Sequence, residues 1–215
     1  MTNGSNPVIA ILGGTGDQGR GLARQFGKAG LRVIIGSRSA ERASAAAAEI
    51  GVEGMTNAGA AGAADVIIAA VPFEGHAELL KGLAGELAGK ILVDCVNPLG
   101  FDQRGPYPLR VPEGSAAEQA AALLPSTTVV AAFHHVSAVL LQDPEIDSFD
   151  LDVLVLGEDR TATDLVQALA ARIPGMRGVY AGRLRNCGQV EALTANLIAI
   201  NRRYKAHAGL RITDI

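Results

Sequence analysis

The chain has 215 residues, 48% of them hydrophobic, a mean hydropathy of +0.23 and a formal net charge of −3. This composition supports a packed core and excludes a largely disordered chain, and the slight negative charge argues against a nucleic-acid binder. No apolar run approaches the ~18 residues of a membrane helix, and the opening MTNGSNP lacks the pattern of a secretion signal. Cys95 and Cys187 lie far apart, which predicts two buried thiols and a location in the reducing cytoplasm.

Strands and helices alternate through the first hundred residues. VIAIL (8–12) is predicted to be a buried strand ending at two glycines, and a helix is expected over about 18–26. A weakly patterned stretch near 54–64 predicts a short strand, a turn and a helical segment. The remaining elements are, in order, RVIIGSR (strand), SAERASAAAAEI (helix), DVIIAAVP (strand), GHAELLKGLAGEL (helix) and KILVDCV (strand). This order predicts an α/β fold with a Rossmann-type, doubly wound parallel sheet.

The second half begins with a proline-rich stretch. Residues 97–114 hold four of the nine prolines, so we expect a packed loop there without a regular helix or strand. Ser115-x-x-Glu118 has the form of a capping box that starts the next helix, and Thr161-x-x-Asp164 that of a later one. Three further strands and a long apolar helix near the C-terminus complete the prediction: TTVVAAFHHV, LDVLVLGE, MRGVYAG, and the helix in QVEALTANLIAINRRYKAHAG.

The turn Gly14-x-Gly16-x-x-Gly19 stands between the first strand and the first helix. In this context glycines allow a tight turn, a close approach to a pyrophosphate and close packing of helix on strand, while N–H groups at the helix start face the phosphates. Asp17 is interpreted as a structural residue at the helix start. The pattern therefore predicts a dinucleotide site.

The end of the second strand indicates which dinucleotide binds. An Asp or Glu that would accept from the ribose hydroxyls of NAD is missing there, and Ser37, Arg38 and Arg42 stand in its place. A guanidinium fork and a hydroxyl suit the additional phosphate of NADP. The predicted cofactor is therefore NADP(H).

The carboxyl ends of the later strands predict a second site. Phe73 could form a wall for the nicotinamide, and Asn97 could bind a carboxamide or a substrate carbonyl. His134 and His135 lack a third ligand at suitable spacing, so no metal site is predicted; we expect one imidazole to pack inward and the other to face the cleft. No tyrosine has a lysine four residues later, which argues against short-chain dehydrogenase chemistry. Hydride transfer to a second cofactor needs no such group.

Several longer stretches together resemble one family. GGTGDQGRGLA, VIIGSRSAERA, VDCVNPLGFDQRGPY, VPEGSAAEQAA, VVAAFHHVSA and AGRLRNCGQVEALTANL are similar, in order and over nearly the whole chain, to NADPH-dependent reductases of coenzyme F420, and more specifically to their actinobacterial members. The resemblance implies an enzyme that transfers a hydride reversibly between NADP(H) and this 8-hydroxy-5-deazaflavin. It also implies an NADP-binding domain over residues 1–143, and a smaller C-terminal α/β part over 144–215 that closes the F420 cleft.

The resemblance assigns residues to each coenzyme. For NADP it implies Thr15, Gly16, Asp17 and Gln18 in the phosphate loop, Ser37, Arg38 and Arg42 at the ribose phosphate, and Phe73, Leu99 and Ala138 as further contacts. For F420 it implies Asn97, His134, Val136 and Thr194. His134 is the candidate for positioning or for stabilising charge on the reduced deazaflavin.

Two alternatives remain open from the residues alone. One is an NADP(H) sensor without enzymatic activity, because GGTGDQG also resembles the turn of such proteins; the other is a reductase of small imines or ketones, which would need an acid in the cleft. Small-molecule coenzymes are the expected partners. The apolar C-terminal helix predicts a homodimer.

Overall fold

A computed structural model describes residues 6–215, so the first five residues of MTNGSNP lie outside the described part. Within it, ten strands form an eight-stranded sheet and a separate two-stranded hairpin. The strands are β1 (Ile9–Leu12), β2 (Val33–Ser37), β3 (Glu53–Thr56), β4 (Val66–Ala69), β5 (Ile91–Asp94), β6 (Leu99–Asp102), β7 (Gly105–Pro108), β8 (Thr128–Ala131), β9 (Leu151–Gly157) and β10 (Met176–Gly182).

The strands of the main sheet lie in the order β10-β9-β8-β5-β4-β1-β2-β3. All neighbours pair in parallel except β8 and β9, which are antiparallel. Every residue of β1, β2 and β4 is buried, because helices cover both faces of the sheet and build an apolar cluster on each. The predicted Rossmann-type α/β fold is confirmed. Since β9 and β10 extend the same sheet, the division at residues 143 and 144 stays a prediction.

Nine α-helices connect the strands in the described part of the chain. They are α1 (Asp17–Lys28), α2 (Ala40–Ala48), α3 (Asn57–Ala63), α4 (Phe73–Gly82), α5 (Ala84–Leu87), α6 (Ala116–Leu123), α7 (Ala138–Gln142), α8 (Arg160–Ala170) and α9 (Cys187–Tyr204). The helix predicted over GHAELLKGLAGEL is divided at Leu83 into α4 and α5. The start predicted for α8 was wrong: Asp159 caps it by accepting from the Ala162 N–H at 2.8 Å. At α6 the Ser115 cap is present as predicted, accepting from the Glu118 N–H at 3.0 Å.

The proline-rich stretch forms regular structure, contrary to the prediction. β6 and β7 pair antiparallel as a hairpin, with Phe101 opposite Pro106 and Leu99 opposite Pro108. Leu109 N–H donates to the Pro98 carbonyl at 2.8 Å, so the intervening prolines occupy positions whose nitrogens point away from the partner strand. An edge strand tolerates proline there, since no ladder hydrogen bond is lost.

A buried carboxylate attaches the C-terminal segment to the sheet. Asp152 of β9 accepts hydrogen bonds from Arg177 at 2.8 and 2.9 Å, from Arg211 at 3.2 Å and from the Ile212 N–H at 2.6 Å. The hydrogen bond from Arg177 is the main cause that lowers the pKa of Asp152 to about 2. The carbonyl of the same residue lies 2.8 Å from Nε2 of His135. The segment after α9 is thereby connected to the turn that follows β8.

Candidate coenzyme site

A cleft of about 770 Å³ opens at the carboxyl ends of β1 to β4. It lies where the strand order reverses between β1 and β4, which is the position at which open α/β sheets bind nucleotides. Its lining residues come from the segments that follow β1, β2, β3 and β4, including the starts of α2 and α3, and from α4. They are Gly13, Thr15, Gly16, Ser37, Arg38, Arg42, Asn57, Ala70, Val71, Pro72, Glu74, Gly75, Glu78, Leu79, Gly82 and Leu83.

The glycine turn bends as a phosphate loop does. Gly13 has φ +71°, and a Cβ there would lie 2.5 Å from the Val71 side chain, so the tight turn depends on a glycine just before the predicted pattern. A Cβ at Gly19 would lie 2.7 Å from the Gly14 Cα, which confirms the expected close packing of α1 on the turn. Gly16 caps α1, leaving the first N–H groups of the helix toward the cleft. Asp17, exposed in the first turn, does not line the cleft.

A group of basic residues lines the same cleft. Arg38 and Arg42 line it with exposed guanidinium groups, and neither forms an ion pair within residues 6–215. Ser37 is buried at the end of β2, and its hydroxyl accepts from the Ser39 N–H at 3.5 Å. Two unpaired cations beside a hydroxyl offer the donors that a phosphate dianion requires.

Asn57 also lines the cleft, although the sequence did not single it out. It follows β3 directly, is 8% exposed, and its Oδ1 has no hydrogen-bond partner in the described part of the chain. A Cβ at Gly36 would lie 2.7 Å from this oxygen, so β2 needs a glycine to admit the amide. The weak patterning of the segment concealed it, and the preference of Asn for turns beside a helix start was the only available signal.

Phe73 begins α4 at the edge of the cleft without lining it. Its ring stacks on the imidazole of His76 with centroids 6.3 Å apart. His76 is fully buried, and its Nε2 lies 2.6 Å from the carboxylate of Asp94. Burial opposes the imidazolium most strongly, but the hydrogen bond and charge of Asp94, with smaller contributions from Gln119 and Glu191, together raise the pKa of His76. This pair fixes the base of α4 to the end of β5.

Three of the residues assigned to F420 are joined by hydrogen bonds. The Asn97 amide, after β5, donates to the His134 carbonyl, after β8, at 2.8 Å. Thr194 of α9 donates from its hydroxyl toward the same carbonyl and toward Asn97 Oδ1, both at 3.3 Å. Because β5 and β8 are neighbours, their carboxyl-terminal turns meet here, and α9 lies against them. Val136, buried in the same turn, completes the predicted set.

Both histidines of the pair are buried, at 4% exposure each, so neither faces the cleft as expected. His135 is held by Asp152 through Nε2, and burial lowers its pKa. His134 has no hydrogen-bond partner for either ring nitrogen within residues 6–215; the peptide groups of Cys95 and Val96 approach the ring without reaching hydrogen-bond geometry. Burial lowers the pKa of His134 to about 4, so its ring is neutral at pH 7.

One contact connects the phosphate loop to this cluster. The amide of Gln18, in the first turn of α1, donates to the Phe133 carbonyl at 3.2 Å. Phe133 has φ +64°, a left-handed conformation that a bulky residue adopts at a cost, and its ring packs edge-on against Phe26. In this conformation the Phe133 carbonyl points toward Gln18 of α1. The following carbonyl, that of His134, points toward Asn97.

The remaining assigned residues lie around this junction. Leu99 begins β6, and Ala138 begins α7, which Ser137 caps. Neither lines the cleft in the structure. No group of three or more His, Cys, Asp or Glu side chains in the described residues could hold a metal ion. A membrane-crossing helix, long and apolar enough to span a bilayer, is likewise not found among them.

The fold and this cleft define the class of doubly wound α/β proteins with a dinucleotide-type cleft, here with two arginines at its mouth. Residues 8–98 match the family described as NADP oxidoreductase, coenzyme F420-dependent. The F420-dependent NADP reductase of Methanothermobacter thermautotrophicus is 40% identical, over 96% of this chain and 95% of its own. That of Methanocaldococcus jannaschii is also 40% identical, over 96% and 98%. The chain belongs to the family of F420-dependent NADP reductases.

A solved structure agrees with this assignment. A protein from Arthrobacter sp. FB24, to which an F420-dependent NADP reductase activity has been provisionally assigned, superposes with a TM-score of 0.85. The two chains are 27% identical, and the match covers 97% of this chain and all of the other. The similarity therefore extends through β9, β10 and α9, beyond the segment that the family description matches.

Proposed function

We propose that this chain catalyses reversible hydride transfer between NADP(H) and coenzyme F420. The observation that carries the proposal is the direct connection of two binding surfaces. A cleft whose two arginines form no ion pair with the described residues is joined, through Gln18 and the Phe133 carbonyl, to a polar surface formed by three different elements. Two coenzymes held on these surfaces would meet at the carboxyl ends of β4, β5 and β8.

The residues divide between the coenzymes. The turn from Gly14 to Gly19, which includes Thr15, Gly16, Asp17 and Gln18, would hold the pyrophosphate of NADP through its backbone N–H groups. Ser37, Arg38 and Arg42 would hold the additional phosphate through their side chains. Phe73, Leu99 and Ala138 would border the nicotinamide end. Asn97, His134, Val136 and Thr194 would border the deazaflavin. The nicotinamide supplies the hydride and the deazaflavin accepts it with a proton from solvent, so the chain needs only to align the two rings.

The neutral His134 ring limits what this residue can contribute. With a pKa of about 4 the imidazole carries no charge at pH 7, so it cannot stabilise the reduced deazaflavin as a cation. Its carbonyl, which receives the Asn97 and Thr194 donors, orients the polar surface instead. Positioning is therefore the role that we assign to His134.

The test mixes the protein with NADPH and oxidised F420 and follows the visible absorbance of the deazaflavin. We expect the absorbance to bleach with saturation in both coenzymes, to recover when NADP+ is supplied to reduced F420, and to bleach far more slowly with NADH. Tight NADPH binding without bleaching would favour a sensor. NADPH consumption with a small imine or ketone and none with F420 would favour the reductase of small substrates.

We also propose that the protein works as a cytoplasmic homodimer and that its NADP-binding part ends near residue 143. The two buried free cysteines support a reducing compartment. Ile200 and Tyr204 of α9 are 40% and 73% exposed, which supports a subunit contact along this helix. Light scattering at two protein concentrations would measure the mass, and a monomer at both would exclude the dimer.

A further inference from the structure

Glu191 is a buried acid outside the residues assigned to either coenzyme. It lies on α9 with 2% of its surface exposed. Its two carboxylate oxygens accept from the first N–H groups of α6, from Ala116 at 3.0 Å and from Ala117 at 3.2 Å. A carboxylate from one helix therefore satisfies the free donors at the start of another, a position where the helix dipole also favours negative charge.

Glu191 lies one helical turn before Thr194. Thr194 belongs to the F420 surface, which is the polar surface formed by Asn97, His134, Val136 and Thr194. Residues three apart in a helix share one side of it, so Glu191 and Thr194 attach neighbouring parts of α9 to different elements. Thr194 reaches the His134 carbonyl and Asn97, while Glu191 reaches α6. A Cβ at Gly188 would lie 2.8 Å from the Gly114 carbonyl, so the start of α9 also packs closely on the residue before the α6 cap.

The carboxylate is costly to bury. Burial raises the pKa of Glu191 to about 7, the Ala116 and Ala117 N–H groups oppose the shift, and nearby Asp94 adds to it. His76, on α4, faces it and acts in the opposite direction, lowering the pKa of Glu191. An apolar residue at position 191 would avoid this cost to folding but would leave two buried N–H groups of α6 without acceptors.

We propose that Glu191 is a positioning residue for the F420 surface: it fixes α9 on α6 and thereby holds Thr194 against Asn97 and the His134 carbonyl. The inference rests on the proposed function for the identity of the ligand. It assigns Glu191 an effect on one coenzyme only, because the NADP cleft is built from β1 to β4 and α4 and includes no residue of α6 or α9.

The variant Glu191→Gln tests this role. Glutamine has one acceptor oxygen, and its NH2 group would face the second N–H of α6, so one of the two contacts is lost. We expect the KM for F420 to rise by up to about tenfold, because at most the energy of the lost contact between α9 and α6 is transmitted to Thr194, with the KM for NADPH within about twofold of the wild type. Thr194→Val should give a similar change, and the double variant little more, because both act through one helix.

Glu118→Gln is the matched control. Glu118 also stands at the start of α6, where it accepts from the Ser115 hydroxyl at 3.0 Å, but it makes no contact with Thr194. It should lower the melting temperature without raising the KM for F420. Equal changes in both KM values for Glu191→Gln, no change in either, or additive effects with Thr194→Val would overturn the proposal. Failure of the wild type to reduce F420 would instead remove the proposed function, and with it the ligand named here.

Discussion

Replacing His134 with Phe tests whether the imidazole is neutral inside the folded protein. The ring is 4% exposed and neither nitrogen has a hydrogen-bond partner in the described residues. In the folded state its pKa is about 4, against a reference value of 6.5. Below pH 6.5 the His134 imidazole is protonated in the unfolded chain but stays neutral in the folded chain. The free energy of unfolding must therefore decrease as the pH falls.

The magnitude follows from the two pKa values. Between about pH 8 and pH 5 this difference removes roughly 2 kcal/mol of stability from the wild type, and nothing from a side chain that cannot titrate. His76, His135 and Glu191, whose pKa values are also shifted, are present in both proteins, so their contributions cancel in the comparison. At pH 8 the variant should be at least as stable as the wild type, because phenylalanine buries no unsatisfied nitrogen.

Urea denaturation of both proteins at the two pH values provides the measurement. The wild type should lose about 2 kcal/mol more than His134→Phe on acidification. Parallel losses in the two proteins would refute the reasoning, since they would show that the ring titrates in the folded state as it does in water. Assignment of the imidazole as a neutral, positioning group would then be withdrawn.

Three other substitutions probe the nucleotide side. Arg38→Asp should reduce the preference for NADPH over NADH in kcat/KM by about tenfold to a hundredfold, as expected for one lost charged hydrogen bond; Arg160→Asp, which alters an exposed arginine of α8, should leave that preference unchanged. Asn57→Leu should raise the KM for NADPH severalfold at constant KM for F420, and an unaltered NADPH titration would exclude Asn57 from the site. Gly13→Ala should destabilise the fold by about 2 kcal/mol or more in a denaturant titration, because φ +71° is combined with collisions with the turn after β4. Gly30→Ala, at φ +76° with open space around it, should cost only about 1 kcal/mol, so equal losses at the two glycines would contradict the account.

The nucleotide side was the most predictable from sequence, for a physical reason. Thr15, Gly16, Ser37, Arg38 and Arg42 lie within two turns that are each local in the chain, and all five line the cleft. The alternation of strand and helix places these turns at one edge of the sheet. Local chemistry and the order of elements were therefore sufficient to place these five at the cleft, whereas Phe73, Leu99 and Ala138, which were also assigned to NADP, do not line it.

The residues that the sequence did not reveal depend on contacts distant in the chain. Glu191 accepts a hydrogen bond from Ala116 of α6, 75 residues away in the chain. Asp152 accepts one from Ile212, 60 residues away. The amide of Asn57 fits beside the cleft only because Gly36, in β2, has no side chain. Neither the hydrophobic periodicity nor the spacing of motifs in the sequence predicts such pairs, because each partner has the sequence context of an ordinary polar residue in its own element. The burial of both His134 and His135 was missed for the same reason.

The prediction of a loop without regular structure over residues 97–114 was wrong because proline is compatible with the edge of a strand. Proline breaks a central strand, but β6 and β7 pair only with each other, so each has one free edge. Pro106 and Pro108 place their nitrogens on that edge of β7, and the inward positions keep their donors.

The same two prolines determine how the hairpin behaves toward other molecules. An open edge that alternates donors and acceptors recruits further strands, and this is how sheets grow into fibrils or swapped assemblies. The free side of β7 has acceptors but lacks a donor at two successive outward positions, Pro106 and Pro108. A strand that paired there could not form the hydrogen bonds that need these two N–H donors. Backbone pairing of another strand with the hairpin is thereby restricted to the outer edge of β6, where Leu99 and Phe101 keep their N–H donors.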